Sequence, residues 1–163
     1  MVDGTHLHGK YEGNLMIATS QDANNQIYPL AFAIVDSEND DSWRWFFEQL
    51  KNVIPNTSDL VFVSDRHKSI AKGIQNVYNQ ENHVVCTRHL KENLKTYFKK
   101  KGSHALFTLA SECYTKVEFR DYFQQICNMD SEMGAYLIKA NLEKWARSQF
   151  KGTQYYIHHV MTL

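Results

Sequence analysis

The sequence predicts an α/β domain with a mixed sheet, followed by a helical region. Three strand-like segments come first, helices and strands then alternate, and apolar residues beyond about residue 102 recur at helical spacing. A three-strand meander followed by alternating elements is typical of a mixed sheet with helices packed on it. We predict a core over residues 1–101 and a helical continuation over residues 102–163.

The first three strands are predicted within the first 36 residues. Val2 and Asp3 form the stub of one strand, and residues 13–20 predict a second. Turn-forming Asp and Asn residues separate it from a third strand over residues 27–36. Pro29 favours the start or the edge for this strand, because proline donates no ladder hydrogen bond. One face of the third strand carries Tyr28, Leu30, Phe32 and Ile34.

An acidic stretch over residues 36–42 precedes the first predicted helix, which Pro55 ends. Asp40, Asp41 or Ser42 can cap its N-terminus, where acidic side chains also meet the positive end of the helix dipole. A metal-binding loop is the alternative for this stretch, and capping explains it more simply. The apolar face of the helix consists of Trp43, Phe46, Phe47, Leu50, Val53 and Ile54.

A continuous apolar run over residues 60–63 predicts a central strand that is buried on both faces. A second helix starts near Lys68, and residues 83–86 predict another short strand. A third helix starts near Arg88, and Gly102 marks a break after it. The inner faces of these two helices carry Ile70, Ile74, Val77 and Tyr78, and Leu90, Leu94, Tyr97 and Phe98.

Composition excludes several classes of protein. A chain of 163 residues can bury a core without a disulfide or a metal, and 43% hydrophobic residues with 13% aromatic residues exclude a disordered chain. No apolar run approaches the roughly 18–20 residues that a membrane span needs. We expect no signal peptide, because residues 1–6 lack a basic patch before an apolar stretch. Three widely spaced cysteines favour a reducing compartment.

The formal net charge is zero, which by itself argues against a strongly basic nucleic-acid arm. The charges are nevertheless unevenly placed. Residues 1–60 carry nine acidic and three basic residues, residues 61–101 carry nine basic and three acidic, and residues 102–163 carry six of each. A basic block beside an acidic one indicates a polyanion-facing surface near carboxylates, with ordinary surface scatter as the alternative.

Two aspartates lie where an α/β sheet gathers its ligands. Asp3 follows the first strand stub, and Asp65 ends the most hydrophobic strand. Aspartates on neighbouring strands can hold a divalent cation through hard oxygen donors. With a third carboxylate, they can hold two cations that act on a phosphodiester. The alternative for Asp65 is a cap on the helix that starts near Lys68.

Cys86-x-x-His89 follows the next predicted strand and is expected on the same rim of the sheet. Such a pair can be half of a zinc site, although no second pair of suitable spacing follows it. The alternatives are a buried cysteine with a rim histidine, or a histidine close to a phosphate.

The third predicted helix is basic outside its apolar face. This pattern matches contact with a phosphate backbone, and a solvated helix face is the alternative. The candidate DNA contacts are Cys86, Arg88, His89, Lys91, Lys95, Lys99, Lys100 and Lys101.

Several stretches together carry a resemblance to a known family. They are Asp3-Gly-Thr-His-Leu-x-Gly-Lys-Tyr-x-Gly13, Asn25-Gln-Ile-Tyr-Pro-Leu-Ala-Phe-Ala-Ile-Val35, and Glu38-Asn39 with Ser42-Trp43-x-Trp-Phe-Phe47. The match continues through Ser64-Asp65-Arg66, Cys86-Thr-Arg-His89-Leu-Lys-Glu-Asn93 and Lys144-Trp145-Ala-Arg147. In this order and spacing, the chain resembles the transposase domain of Mutator-like elements over essentially its whole length.

The resemblance implies an RNase H-like fold with a metal-dependent triad of two aspartates and a glutamate. Such an enzyme cuts DNA at element ends and joins the freed 3′-hydroxyl to a target. Carried over by position, Asp3 and Asp65 match the aspartates and are expected to hold Mg²⁺ or Mn²⁺. Cys86 and His89 match a Cys-x-x-His element beside the active site, which makes His89 a catalytic candidate. The resemblance also implies DNA as the partner, a nuclear location and self-association as a transposase oligomer.

The chain departs from the family pattern at its ends. The family's glutamate is expected beyond Leu163, and neither Glu118 nor Glu143 replaces it. Most of the first strand and an upstream zinc-finger region are also missing, so we expect a fragment with weak or no catalysis. The alternative function is a domesticated, non-catalytic DNA-binding regulator, as in plant far-red-response transcription factors, which carry this domain. A general RNase H-type nuclease fits the fold but not the family motifs.

Overall fold

The elements of the protein follow the order that the sequence predicts. A computed structural model describes residues 1–10, 12–22, 24, 26–79, 83–99 and 101–151, without the side chain of Lys101. The strands are β1 (Val2–Leu7), β2 (Gly13–Gln21), β3 (Ile27–Val35), β4 (Phe62–Ser64) and β5 (His83–Val85). The helices are α1 (Asp40–Lys51), α2 (Lys68–Tyr78), α3 (Thr87–Tyr97), α4 (Lys101–Glu112), α5 (Lys116–Met129) and α6 (Ser131–Lys139), followed by short 3-10 turns at Leu142–Lys144 and Arg147–Gln149. The predicted α/β class is confirmed.

The chain divides into two compact units, Met1–His83 and Val84–Leu163. The predicted boundary after residue 101 stays a prediction. No helix among the described residues is long and apolar enough to cross a membrane.

β1, β2 and β3 form an antiparallel sheet in that order. Asp3 pairs with Ile17, which in turn pairs with Phe32, and the register shifts between Ala18 and Thr19. The edge position that Pro29 favours is confirmed for β3. β4 and β5 form a separate two-stranded sheet, so the hydrogen-bond ladders of the described residues divide into two instead of one mixed sheet.

The outer face of β3 is exposed to solvent. Phe32 and Ile34 are 76% and 69% exposed, and Ile27, Tyr28 and Leu30 lie on this strand with more than a third of their surface exposed. The opposite face, with Ala31, Ala33 and Val35, packs against the core of the first unit. The apolar set that the sequence pattern singles out is therefore the exposed one. Small alanines on the inner face allow α1 to approach the strand.

The core of the first unit is aromatic. Phe47 stacks on Trp43 and meets Phe62 and Tyr78 edge-on. Burial raises the pKa of Tyr78 to about 12. The other buried apolar residues of this core are Val2, Met16, Ala18, Phe46, Leu50, Ile70 and Ile74.

The ends of α1 differ from those predicted. Its N-cap is Asn39, whose side chain accepts a hydrogen bond from Ser42 N at 2.9 Å, so the expectation of a cap at residues 40–42 is wrong. The cap comes one residue earlier because Asn39 has the extended backbone that an N-cap needs. The helix ends at Lys51, which leaves Val53 65% exposed outside the apolar stripe.

The second unit packs its helices around an apolar core in which Trp145 is fully buried. Trp145 contacts the rings of Phe107, Phe119 and Phe123, and its Nε1 donates to the carbonyl of Leu137 at 3.1 Å. The break predicted at Gly102 is misplaced, because α4 already starts at Lys101.

Candidate active site

Asp65 lies directly after β4, in the segment that leads into α2. Its Oδ1 accepts a hydrogen bond from His67 N at 2.9 Å, and its carbonyl accepts one from Ser64 Oγ at 2.7 Å. Ser64 Oγ also lies 2.8 Å from Nε2 of His83. The N-cap of α2 is His67, and no side chain caps this helix. Asp65 therefore stabilises the turn before the helix and is not its cap, which corrects the alternative reading of this residue.

Asp3 lies in β1 and is partly buried. Its Oδ1 accepts a hydrogen bond from the backbone N of Gly4 at 3.0 Å. β1 contacts β4 within the first unit, so the strand that carries Asp3 and the strand that precedes Asp65 are spatial neighbours. Both aspartates thus belong to neighbouring segments of the first unit, each with one carboxylate oxygen held by a backbone N–H.

A third acidic side chain, Glu38, lies in the segment between β3 and α1. Its carboxylate is only 18% exposed, and Oε1 accepts a hydrogen bond from Trp43 Nε1 at 3.1 Å. The same oxygen lies 3.8 Å from Nδ1 of His67. A Cβ at Gly4 would come within 2.9 Å of this oxygen, so the carboxylate lies against the backbone of β1.

Asp40 joins the first turns of α1 and α2. Its carboxylate accepts hydrogen bonds from Ser69 Oγ and from Lys72 Nζ, the second at 2.6 Å. The Lys72 ammonium and the Ser69 hydroxyl hold the pKa of Asp40 below its usual range. The acidic stretch therefore does more than cap a helix, since two of its carboxylates hold the start of α2.

The donor chemistry of Asp3 and Asp65 fits a hard divalent cation. Both offer carboxylate oxygens, which Mg²⁺ and Mn²⁺ prefer, on neighbouring elements. Among the residues that the structure describes, no group of three or more His, Cys, Asp or Glu side chains is placed to hold a metal ion. The pair therefore fits part of a site, whose other ligands would be water, DNA or further protein groups.

The remaining predicted site residues lie in the second unit. Cys86 is buried and is the N-cap residue of α3, with no side-chain cap hydrogen bond, and His89 is half-buried in the first turn of that helix. The described residues gather no further metal ligands around these two, so they give the zinc half-site no support. The structure describes the two units separately, and the predicted proximity of His89 to the aspartates stays a prediction.

The basic residues of α3 differ in their exposure and in their ion pairing. Arg88 is exposed and Lys91 is half-buried, whereas Lys95 donates to Glu92 Oε1 at 2.7 Å. Lys99 is also exposed but lies beyond the end of α3, so the predicted basic helix is shorter than expected. The hydrogen bond from Lys95 lowers the pKa of Glu92. Lys95 is thus committed to an ion pair within the helix. Lys100 and the side chain of Lys101 lie outside the described residues.

Glu38 is the site residue that sequence reasoning missed. Several residues of the acidic stretch over residues 36–42 suit a helix cap, so the sequence alone did not distinguish the different role of the Glu38 carboxylate. One signal could have revealed it. A buried tryptophan needs an acceptor for its indole N–H, and Trp43 begins the apolar stripe five residues after Glu38.

The chain is similar in sequence to known transposases. Residues 1–93 match the MULE transposase domain. Two curated relatives, from Staphylococcus aureus and from Enterococcus faecalis (strain ATCC 700802 / V583), are each named as the transposase for insertion sequence element IS256 in transposon Tn4001. Each is 29% identical over 90 residues, which cover 55% of this chain and 22% of the relative. The chain thus spans about a fifth of the length of these relatives. Because the family match covers more than half of its residues, the chain belongs to the MULE transposase domain family.

Proposed function

We propose that this chain is part of the catalytic domain of a DNA transposase with an RNase H-like fold, which cuts DNA at element ends and transfers the freed strand. The observation that carries the proposal is the pair of carboxylates on neighbouring segments of the first unit, Asp3 in β1 and Asp65 after the adjacent β4. Membership of the transposase family and the transposase names of the two relatives support the same class of reaction.

In this proposal Asp3 and Asp65 hold Mg²⁺ or Mn²⁺, which supplies activation of the attacking oxygen and stabilisation of the leaving oxygen. The protein contributes the orientation of these carboxylates. The N–H groups of Gly4 and His67 each hold one carboxylate oxygen, which restricts the rotation of the side chain before any ligand arrives.

The second unit is proposed to position the DNA. Arg88, Lys91 and Lys99 offer cations to the phosphate backbone, an interaction that fixes register without reading bases. Cys86, His89 and Lys95 stay in this proposal as candidate contacts, with His89 as the catalytic candidate. Lys95 must first give up its ion pair with Glu92.

Among the described residues, no third His, Cys, Asp or Glu side chain joins Asp3 and Asp65 in a group that could hold a metal ion, so we expect weak cleavage by residues 1–163. Self-association and a nuclear location remain predictions, and the two relatives are bacterial.

Cleavage of DNA that carries an element end tests the proposal, with Mn²⁺ and a protein extended past Leu163. Asp65→Asn is expected to lower cleavage at least about a hundredfold, the loss typical of removing a preorganised electrostatic group from an active site. The matched control is Asp59→Asn, since Asp59 is exposed and accepts a local hydrogen bond from Ser58 Oγ. If Asp65→Asn cleaves normally, the assigned site is wrong. DNA binding without cleavage in the unmutated protein would favour the domesticated regulator.

A further inference from the structure

We propose that Glu38 is a positioning residue for the Asp3–Asp65 site, a role that rests on the proposed function. Its carboxylate lies against the backbone of β1 and 3.8 Å from the His67 ring, and so links the segments that carry the two aspartates. Three independent contacts carry this inference: a buried indole donor, the backbone of β1 and the turn after β4.

The burial of Glu38 calls for an explanation. Removing a carboxylate from water costs free energy unless hydrogen bonds or opposite charges compensate for it. Glu38 is 18% exposed, and the indole N–H of the fully buried Trp43 holds its Oε1 at 3.1 Å. This hydrogen bond anchors the carboxylate to the core of the first unit. A capping role does not account for the arrangement, since Asn39 caps α1.

Gly4 provides the space that the carboxylate occupies. A Cβ at this position would lie 2.9 Å from Oε1, 3.0 Å from Cδ and 3.2 Å from Oε2 of Glu38. Every other residue type would therefore displace the carboxylate. Successive residues of a strand point to opposite faces, so Glu38 contacts β1 on the face away from the Asp3 side chain. Glu38 thus acts on Asp3 through the strand, by packing against Gly4, whose N–H holds Asp3 Oδ1.

The other end of the contact reaches Asp65. Nδ1 of His67 lies 3.8 Å from Glu38 Oε1, and the backbone N–H of His67 is the donor that holds Asp65 Oδ1. A single carboxylate therefore faces both residues whose backbone N–H groups orient the proposed metal ligands. We therefore call Glu38 a brace: it lies between the segments that carry Asp3 and Asp65 and is not itself a proposed metal ligand.

Binding of Mn²⁺ to the 163-residue chain without DNA tests the role, measured by titration of the Mn²⁺ EPR signal. Glu38→Gln keeps the shape and the acceptor for Trp43 but removes the charge. We expect roughly tenfold weaker Mn²⁺ binding, because loss of outer-shell partners typically costs 10–100-fold in metal affinity. Glu48→Gln is the matched control, since Glu48 is 54% exposed in α1 and forms a loose pair with Arg44 at 4.0 Å. Unchanged Mn²⁺ affinity in Glu38→Gln, with a normal melting curve in EDTA, overturns the inference.

Gly4→Ala provides the second variant, which leaves the Glu38 side chain intact and changes only the space that it occupies. The added methyl group pushes the carboxylate away, so Gly4→Ala is expected to weaken Mn²⁺ binding by a similar factor. In a Glu38→Ala background the methyl group meets no carboxylate, and Gly4→Ala is expected to have little further effect. Equal losses in both backgrounds would show that the effect of Gly4→Ala does not pass through Glu38, which also overturns the inference.

Asp65→Asn in the same titration separates this inference from the proposed function. Loss of Mn²⁺ binding in Asp65→Asn supports the assigned site, and the result for Glu38→Gln then decides the positioning role alone. If Asp65→Asn binds Mn²⁺ normally, the assigned site is wrong and the role of Glu38 falls with it.

Discussion

The contacts that stabilise the first unit internally differ in kind from those that stabilise the second. In the first, polar side chains join elements that are far apart in sequence: Asp40 reaches Ser69 and Lys72, and Tyr78 donates to the carbonyl of Ile54 at 3.0 Å. In the second, an aromatic core around Trp145 is accompanied by local caps. There the capping box of α5 and the Asp130 cap of α6 each join residues that are only three positions apart.

This difference predicts which mutations should affect activity and which should affect stability. In the first unit, polar side chains such as Glu38 and Ser64 lie beside the segments that carry Asp3 and Asp65, so changes there are expected to alter chemistry. The core of the second unit is apolar, so changes there are expected to act on stability.

The largest effect is expected from Trp145→Ala in the second unit. Trp145 is fully buried against Phe107 and Phe119, and its loss leaves a cavity as well as an unpaired carbonyl at Leu137. We expect the free energy of unfolding to fall by about 3–5 kcal/mol, as measured by urea denaturation. Trp45→Ala is the control, because Trp45 is 46% exposed, and should change stability by less than about 0.5 kcal/mol. Equal effects of the two substitutions would break the comparison.

A smaller effect, opposite in sign between the units, is expected from two glycines. A Cβ at Gly73 in α2 would lie 2.6 Å from Cδ2 of the buried Phe47. Gly73→Ala should therefore destabilise by about 1–3 kcal/mol, which outweighs the gain in helix propensity. A Cβ at Gly102 in α4 would meet only the flexible end of Met129, at 3.1 Å from Sδ. Gly102→Ala should stabilise by up to about 1 kcal/mol. The same denaturation measurement decides the signs, and a loss in both variants would contradict this account.

The smallest effect concerns acid stability of the first unit. Lys72 and Ser69 lower the pKa of Asp40 in the folded protein, so the stability this carboxylate contributes is present above its ordinary pKa and is lost as pH falls below that. Both members of the ion pair are more than half exposed, so the effect is small and screened by salt. The denaturation midpoint is expected to fall as the pH is lowered from about 5 to about 2, and Asp40→Asn should make this fall smaller. Lys72→Met should also make it smaller, and an unaltered fall in either variant would rule out the contact as its source.

The order of the elements could be predicted because helices and strands impose different apolar periods on the sequence. Which face of β3 meets the core could not, since Phe32 and Ile34 alternate with Ala31, Ala33 and Val35, and both sets are apolar. The deciding factor was the close approach of α1, which favours small side chains on the inner face. Such proximity is a tertiary property that no local pattern contains.

The site was predictable to a similar degree. Asp3 and Asp65 stood out through their position at strands and through family resemblance, and the structure places both in the first unit. The brace formed by Glu38 could not be derived, because it depends on a contact between residues 34 positions apart, at Gly4. A glycine in a strand signals close approach of another group, but it does not identify that group.

The exposed face of β3 is expected to make self-association of the protein depend on pH. Within the described residues β3 pairs on one side only, so its outer edge offers a template for strand addition by another chain. Phe32 and Ile34 add an apolar patch beside that edge. Repulsion between like-charged molecules normally opposes such addition, but this chain has zero formal net charge and a pI near 7.1. Self-association should therefore be strongest near neutral pH and weaken as the solution moves away from it in either direction.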